Sequence, residues 1–274
     1  NKKEIFRFFL GDIRDKDRLN WAITEDIDVI VHSAALKQIP ATEYNPFETV
    51  LTNIIGTQNI IEVAIKKNIK KAILVSTDKA VAPINLYGAT KLTAEKLFIS
   101  ANLFKGSSKT LFSIARYGNV LGSRGSVVPL FLKQNQDSDF FTITNKNMTR
   151  FTITLDEAVK FVFDRIKEMK GSEIFVPKLS SYRVIDLAKS INSKKKIKFI
   201  GIRNGEKIHE EMINAFEFNH TVEKKTYFKI LPLKIIRNKI LNKNLFYNSF
   251  NKGKFLSVNS LSKKIKANLE SFEK

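Results

Sequence analysis

The first half of the chain alternates short apolar runs with longer stretches whose apolar residues recur every three or four positions. "IFRFFL" (Ile5 to Leu10), "DVIVHSAA" (Asp28 to Ala35), "KKAILVS" (Lys70 to Ser76) and "LFSIARYGNV" (Leu111 to Val120) predict four strands. "DKDRLNWAI", the region from Glu43 to Lys67 and the region from Tyr87 to Phe104 have helical spacing. Strands separated by helices of this length need crossover connections, which are right-handed and build a parallel sheet. The strands are nearly continuous in apolar residues, as expected where helices cover both faces. The fold class is therefore α/β with a parallel sheet.

After about residue 125 the rhythm loosens. "RFTITLDEAVKFVFDRIKEM" predicts a strand and an amphipathic helix, "SEIFVP" a strand and "RVIDLAKSI" a helix. "KIKFIGIRNGEKIHEEMI" predicts a strand, a Gly-containing turn and the start of a helix. A sheet domain over 1–125 and a smaller lobe over 126–274 follow, with some chain crossing between them. The tail after Asn214 carries no readable pattern.

In an open parallel sheet, ligands bind beyond the carboxyl ends of the strands. That rule gives one address to Asp12, to Ser33 through Lys37, to Ser76 through Lys79 and to Tyr117 through Asn119. The third of these stretches is the richest in chemistry. "STDKAVAPINLYGATK" (Ser76 to Lys91) packs an acid, two lysines and a tyrosine between a strand and a helix. Tyr87 and Lys91 are four apart, so a helix puts them on one side. A nearby ammonium favours the phenolate, which suits such a tyrosine to take a proton from a hydroxyl. Taken alone, Y-x-x-x-K is a weak signal that any helix carries by chance.

Composition removes several classes. The 274 residues hold no cysteine, so there is no disulfide framework and no thiolate chemistry. His32, His209 and His220 share no metal-ligand spacing, so no metal is expected. No apolar run is long enough to cross a membrane. The net charge of +20 raises nucleic acid as a partner. Its lysines, however, lie mostly after residue 190, interrupted by apolar residues and without zinc-finger or RNA-binding patterns, so no nucleic acid is expected.

"HSAALKQIPATEYNPFETVLTNIIGTQN", "STDKAVAPINLYGATKL", "RYGNVLGSRGSVVP", "MTRFTITLDEAV" and "GIRNGEKIHEEM" occur in this order. Together they resemble the extended short-chain dehydrogenase/reductase family and, within it, the polysaccharide-biosynthesis UDP-N-acetylglucosamine 4,6-dehydratases. The resemblance runs from about Arg7 to Ile213. It implies a Rossmann-like sheet over 1–125 that forms part of an NAD(P)-binding domain, with a substrate-binding lobe after it. It implies NADP as cofactor, with NAD as the alternative, and UDP-N-acetylglucosamine as substrate. It also implies a homo-oligomer and a cytoplasmic location.

The reaction that this resemblance implies oxidises the sugar at C4, removes water across C5 and C6, and returns hydride to C6. Tyr87 would be the base at O4, with Lys91 lowering its pKa and holding the nicotinamide ribose. Thr77 would hydrogen-bond O4, and Asp78 with Lys79 would be the elimination pair. Retaining relatives carry Asp-Glu there, and membrane-bound ones tend to carry Met at the position of Tyr87. Tyr87 and Lys79 therefore resemble the soluble, C5-inverting branch that begins pseudaminic acid synthesis.

Cofactor contacts implied by the family are Asp12, Ile13, Ala34, Ala35, Ser76, Tyr87, Lys91, Tyr117, Asn119 and Val120. Substrate contacts are Lys37, Asn119, Arg124, Gly125, Ser126, Thr142, Arg203, Glu206 and His209, the last one helical turn beyond Glu206. The glycines of "GSRGS" permit close backbone approach, and the Arg124 guanidinium fork suits phosphate. The Gly-rich turn that cradles the dinucleotide pyrophosphate is absent from the sequence. The chain is thus expected to enter the family pattern at its third strand and to form an N-terminally truncated sheet. A UDP-hexose 4-epimerase, which would share Tyr87 and Lys91 without needing Asp78 and Lys79, stays open as an alternative. So does an inactive remnant that only binds UDP-sugar or partner subunits.

Overall fold

The computed structural model describes residues 6–232, 246–250 and 255–268. Helix α1 (Lys16–Ala22) leads to strand β1 (Val29–His32). Helices α2 (Ile39–Tyr44), α3 (Pro46–Val50) and α4 (Gly56–Lys66) follow, with one turn of π-helix at Leu51–Ile55 before α4. Next come β2 (Lys71–Thr77), a 3-10 turn (Asp78–Ala80), α5 (Leu86–Phe104) and β3 (Leu111–Tyr117). The second half runs β4 (Asn119–Val120), α6 (Val127–Asp137), β5 (Phe140–Ile143), β6 (Thr149–Ile153) and α7 (Leu155–Glu168). It continues through β7 (Ile174–Pro177), β8 (Ser180–Arg183), α8 (Val184–Ile191), β9 (Lys196–Phe199) and β10 (Glu211–Ile213). The last described elements are α9 (Ala215–Phe218), β11 (Thr221–Glu223), β12 (Tyr227–Ile230), β13 (Tyr247–Asn248) and α10 (Val258–Lys266).

The main sheet has the order β1-β2-β3-β7-β12-β11. The first four strands pair in parallel, and β12 and β11 close it as an antiparallel hairpin. This is the α/β sheet expected from the alternating pattern. Its centre is covered on both faces. On one side α4 and α5 bury Ile60, Ile61, Phe98 and Ala101 against Ala72, Leu74, Phe112 and Ile114. On the other, Val162 of α7 meets Ile73, Ala115 and Phe175. A separate core gathers Phe131, Phe141, Tyr182 and Leu187 with Leu261 and Ile265 of α10, beside the short sheets β4-β6-β8 and β5-β9.

Local signals set several boundaries. Pro46 at the start of α3 cannot donate to the preceding helix and separates α2 from α3. Thr154 and Glu157 form a reciprocal capping box at the start of α7. One buried cation joins three elements. Arg116 of β3 forms paired hydrogen bonds with Glu95 of α5 and with Glu217 of α9. Its guanidinium is fully buried and the two carboxylates match its fork geometry.

Three expectations change. "IFRFFL" is not a strand: residues 6–10 make no ladder, and Phe8 and Leu10 are exposed, while Ile5 lies outside the described residues. Strand β1 is therefore an edge, and only its Ile30 and His32 face is covered; Val29 and Val31 stand 36% and 45% exposed. Finally, "HEEMI" is not a helix start. Glu211–Ile213 is strand β10, paired antiparallel with β13, because Met212 and Ile213 alternate with Glu211 into a core that Tyr247 completes. The unreadable tail also has a role, since β12 adds to the main sheet beside β7.

Candidate functional site

The carboxyl ends of β2 and β3 open into a cavity of about 520 Å³, within the range of small-molecule sites. Ser76, Thr77, Asp78 and Lys79 form one wall, Tyr87 and Lys91 the floor, and Tyr117, Asn119 and Val120 a second wall. Ala35 and Lys37 enter from the β1 end, and Arg124, Gly125, Ser126, Arg203 and Glu206 form the far rim. Sixteen of the residues singled out in the sequence therefore meet in one place. Thr142 lines an adjoining cavity of about 210 Å³ instead, shared with Lys79, Asn119, Arg203 and Glu206. Its hydroxyl accepts from Gln134 Nε2 at 2.7 Å.

Four expected residues are not brought to the cavity. Asp12 is on the surface, paired with Arg14 at 2.7 Å. The Ile13 carbonyl accepts a hydrogen bond from Asn59 at 3.0 Å. Ala34 is exposed and, unlike Ser33 and Ala35, is not among the cavity's lining residues. His209 points elsewhere because the segment after Glu206 is not helical; its ring lies 4.8 Å from that of Phe250 and its Nδ1 is 2.8 Å from Thr149 Oγ1.

The turn after β2 is built for close packing. Thr77 caps it, accepting from Lys79 N at 3.3 Å, and Asn85 caps α5 by accepting from Gly88 N at 2.7 Å. Gly88 allows the first turn of α5 to lie on the 3-10 turn: a Cβ there would sit 2.3 Å from the Lys79 carbonyl oxygen. Gly88→Ala should therefore destabilise the protein by about 1–3 kcal/mol, as overpacking does. Urea unfolding measures this, and an unchanged midpoint would refute the contact. The rim loop is fastened to the same turn by Asn85 Nδ2 to the Gly205 carbonyl at 2.8 Å and by Lys207 Nζ to the Val81 carbonyl at 2.6 Å. Gly125 has φ +73, and a Cβ there would meet Gln38 Nε2 at 2.5 Å.

The electrostatics centre on Lys79. Its Nζ lies 3.1 Å from Asp78 Oδ1 and 3.1 Å from Glu210 Oε1. Arg150 Nε stands 3.7 Å from the same Glu210 oxygen. Burial pulls the Lys79 ammonium down, but the carboxyls of Asp78 and Glu210 outweigh it and the net direction is up. Burial pushes Asp78 up and the nearby Glu210 adds to that, so Asp78 is raised despite Lys79. Burial also acts upward on Glu210, yet Lys79 and Arg150 carry it down. The triad therefore holds a proton on Asp78 far more readily than on Glu210.

Tyr87 is pushed up to about 12 by burial, against the pull of Lys79 and of its hydrogen bond with Thr77. The charge acting most on Tyr87 is thus Lys79, where the sequence pointed to Lys91. Lys91 is itself brought down to about 8 by burial, opposed by Glu95, and its Nζ donates to the Val75 carbonyl at 2.9 Å.

Several residues of the site escaped the sequence reading. Glu210 and Arg150 complete the charged cluster. Arg150 was legible as an arginine inside the apolar strand "RFTIT", whereas Glu210 sat in an acidic run with the look of surface. Asn53, in the π-helical turn, fixes the loop after β1. Its Oδ1 accepts from Leu36 N at 2.8 Å, and its Nδ2 donates to the Leu36 carbonyl at 2.9 Å and to Thr90 at 3.0 Å. Such turns recur at functional sites.

Ser76 Oγ and Asn119 Oδ1, both of lining residues, are buried without a hydrogen-bond partner among the described residues. Buried polar atoms of this kind are the ones a ligand satisfies. Small Ser33 and Ala35 leave room beside them. The wall formed by Ser76, Lys91 and Asn119 therefore fits the ribose and amide half of a nicotinamide dinucleotide. No cluster of metal-ligating side chains occurs among the described residues, and no helix among them is long and apolar enough to cross a membrane.

Comparison with known proteins agrees with this site. The family described as polysaccharide biosynthesis protein matches residues 1–232. A UDP-N-acetylglucosamine 4,6-dehydratase (inverting) of Campylobacter jejuni is 49% identical over 82% of this chain and 68% of its own length. An uncharacterized membrane protein of Methanocaldococcus jannaschii is 47% identical over 96% of this chain and 81% of its own. A UDP-glucose 4-epimerase of Rickettsia bellii is 40% identical over 82% of this chain and 67% of its own. The X-ray structure of Pen from Bacillus thuringiensis superposes with a TM-score of 0.89 at 40% identity, covering 97% of this chain and 83% of that one.

Proposed function

Because the chain belongs to the polysaccharide-biosynthesis branch of the extended short-chain dehydrogenase/reductase family, we propose that it is a UDP-N-acetylglucosamine 4,6-dehydratase that inverts C5. One observation carries the reading: Asp78, Lys79 and Tyr87 share one cavity wall, with Lys79 3.1 Å from Asp78 and the strongest charge on Tyr87. A 4-epimerase needs the tyrosine but has no use for a buried acid and amine beside it.

The nicotinamide dinucleotide, NADP in our reading and NAD as the alternative, would supply the hydride acceptor, the hydride donor and a positive charge near Tyr87. Ser76, Lys91 and Asn119 would hold it. The chain's own groups do the rest. Tyr87 is positioned to take the O4 proton, with Thr77 hydrogen-bonded beside it. Asp78, held protonated by burial, donates to the C6 hydroxyl as it leaves as water. Lys79 takes the C5 proton, and the acidity of that proton comes from the neighbouring C4 ketone. Arg124, Arg203 and Lys37 on the rim suit the diphosphate, and the side cavity at Thr142 suits the uridine. The same reading carries a cytoplasmic homo-oligomer.

Incubation with UDP-N-acetylglucosamine and NADP followed by mass spectrometry tests this. The expected product is lighter by one water. A product of unchanged mass would make the protein a 4-epimerase, which is the reading that the Rickettsia relative supports.

A further inference from the structure

We propose that Glu210 is a positioning residue that governs the charge of Lys79: it holds the ammonium between turnovers and accepts its proton when the amine is needed at C5. This rests on the dehydratase reading for the second half of its statement only.

Glu210 is 2% exposed, and Asp78 is fully buried. Lys79 Nζ bridges the two at 3.1 Å each. A side chain fixed in this way is protonated, and an ammonium is not a base. Its proton must therefore leave before C5 can be deprotonated. The charged or titratable groups facing Lys79 are Asp78 on its own turn, Tyr87 of α5, Arg150 of β6, Tyr182 of β8, and Glu210 with Lys207 of the rim loop. Arg150 and Lys207 are cations. Asp78, Tyr87 and Tyr182 keep their own protons, since burial raises all three. Glu210 is the ionised acceptor in hydrogen-bond reach. Its second oxygen, Oε2, is buried with no hydrogen-bond partner among the described residues, so the carboxyl has room to carry a proton. Arg150 Nε, 3.7 Å from Oε1, is near enough to favour the carboxylate again once the proton returns.

Atoms balance in the step. A Lys79 N–H bond breaks and an O–H bond forms on Glu210. The freed amine then takes hydrogen from C5. The C–H electron pair becomes the C5–C6 double bond, and the C6 hydroxyl leaves with the Asp78 proton as water. The position of Glu210 is also secured from outside the sheet: its backbone N–H donates to Ser249 Oγ at 2.9 Å, and Ser249 lies 2.6 Å from Thr149.

Glu210→Gln keeps the shape and removes the acceptor, whereas Glu210→Asp keeps a carboxyl. The first readout needs no turnover: labelling of Lys79 by acetic anhydride as a function of pH, read by peptide mass spectrometry. In Glu210→Gln the labelling midpoint should fall by about 1–3 pH units, the effect of removing one close opposite charge. In Glu210→Asp it should stay near the wild-type value. The second readout is turnover against pH. Wild type and Glu210→Asp pass the proton internally and should be flat near neutrality. Glu210→Gln must lose it to water, so its kcat should rise about tenfold per pH unit with KM little changed. An unmoved labelling midpoint overturns the charge-holding role. A Glu210→Gln kcat parallel to wild type at every pH overturns the acceptor role. Failure of the dehydratase reading is seen separately, as an absence of water loss in the wild type.

Discussion

Lys79→Ala should lower turnover of UDP-N-acetylglucosamine by about 10²–10⁴-fold, the range for loss of a positioned acid or base. Nothing else described near the cavity can replace it. The next cation along the charged cluster, Arg150, cannot give up a proton, and the buried carboxyls beside Lys79 face it rather than open solvent. The variant should also lose hydrogen exchange at C5 when the 4-keto product itself is supplied in D2O. Binding of UDP, measured by calorimetry, should remain within a few-fold, because Arg124, Arg203 and Thr142 stand apart from the deletion. Stability should fall as well. Without Lys79 the Glu210 carboxyl rises, and a buried carboxyl raised above its unfolded value costs more as pH climbs through neutrality. Exchange at C5 persisting in Lys79→Ala would remove lysine from the role of base.

Tyr87→Phe should be as damaging to overall turnover, about 10²–10⁴-fold, yet leave a different residue of function. Tyr87 acts at O4, before any ketone exists. Its hydroxyl is held up to about 12 by burial, so it is a neutral phenol in the free protein. The phenylalanine ring fills the same space, and Thr77, Asp78 and Lys79 keep their contacts with one another. Given the 4-keto product in D2O, Tyr87→Phe should therefore still exchange the C5 hydrogen, where Lys79→Ala should not. If both variants lose that exchange equally, the division of labour between phenol and amine is wrong.

Much of this site was legible in the sequence because each part sits at the end of a strand. Parallel strands β2 and β3 were marked by unbroken apolar runs, and the residues just past them converge by geometry alone. Tyr87 and Lys91 were legible through helical spacing on α5, and Gly88 between them turns out to be the point of contact with Lys79. What was not legible depended on pairing across long sequence distances. "IFRFFL" has the composition of a strand, but a strand needs a partner, and residues 6–10 have none among the described residues. His209 was placed by assuming a helix, and the antiparallel pairing of β10 with β13 takes it away. Glu210 sits at the mouth of that same strand. Its burial depends on Lys79 and Arg150, which lie 131 and 60 residues earlier, so an acidic run gave no local sign of it. The buried Arg116, Glu95 and Glu217 network escaped notice for the same reason.

The most direct test of the account is the NMR spectrum of the product formed by the wild-type protein from UDP-N-acetylglucosamine in D2O. A C5-inverting dehydratase takes hydrogen from C5 with Lys79 and returns solvent hydrogen to the opposite face. The account predicts a 6-deoxy-4-keto sugar nucleotide with deuterium at C5 and the configuration there inverted. A C4 epimer that retains its C6 hydroxyl and carries no deuterium at C5 would contradict it.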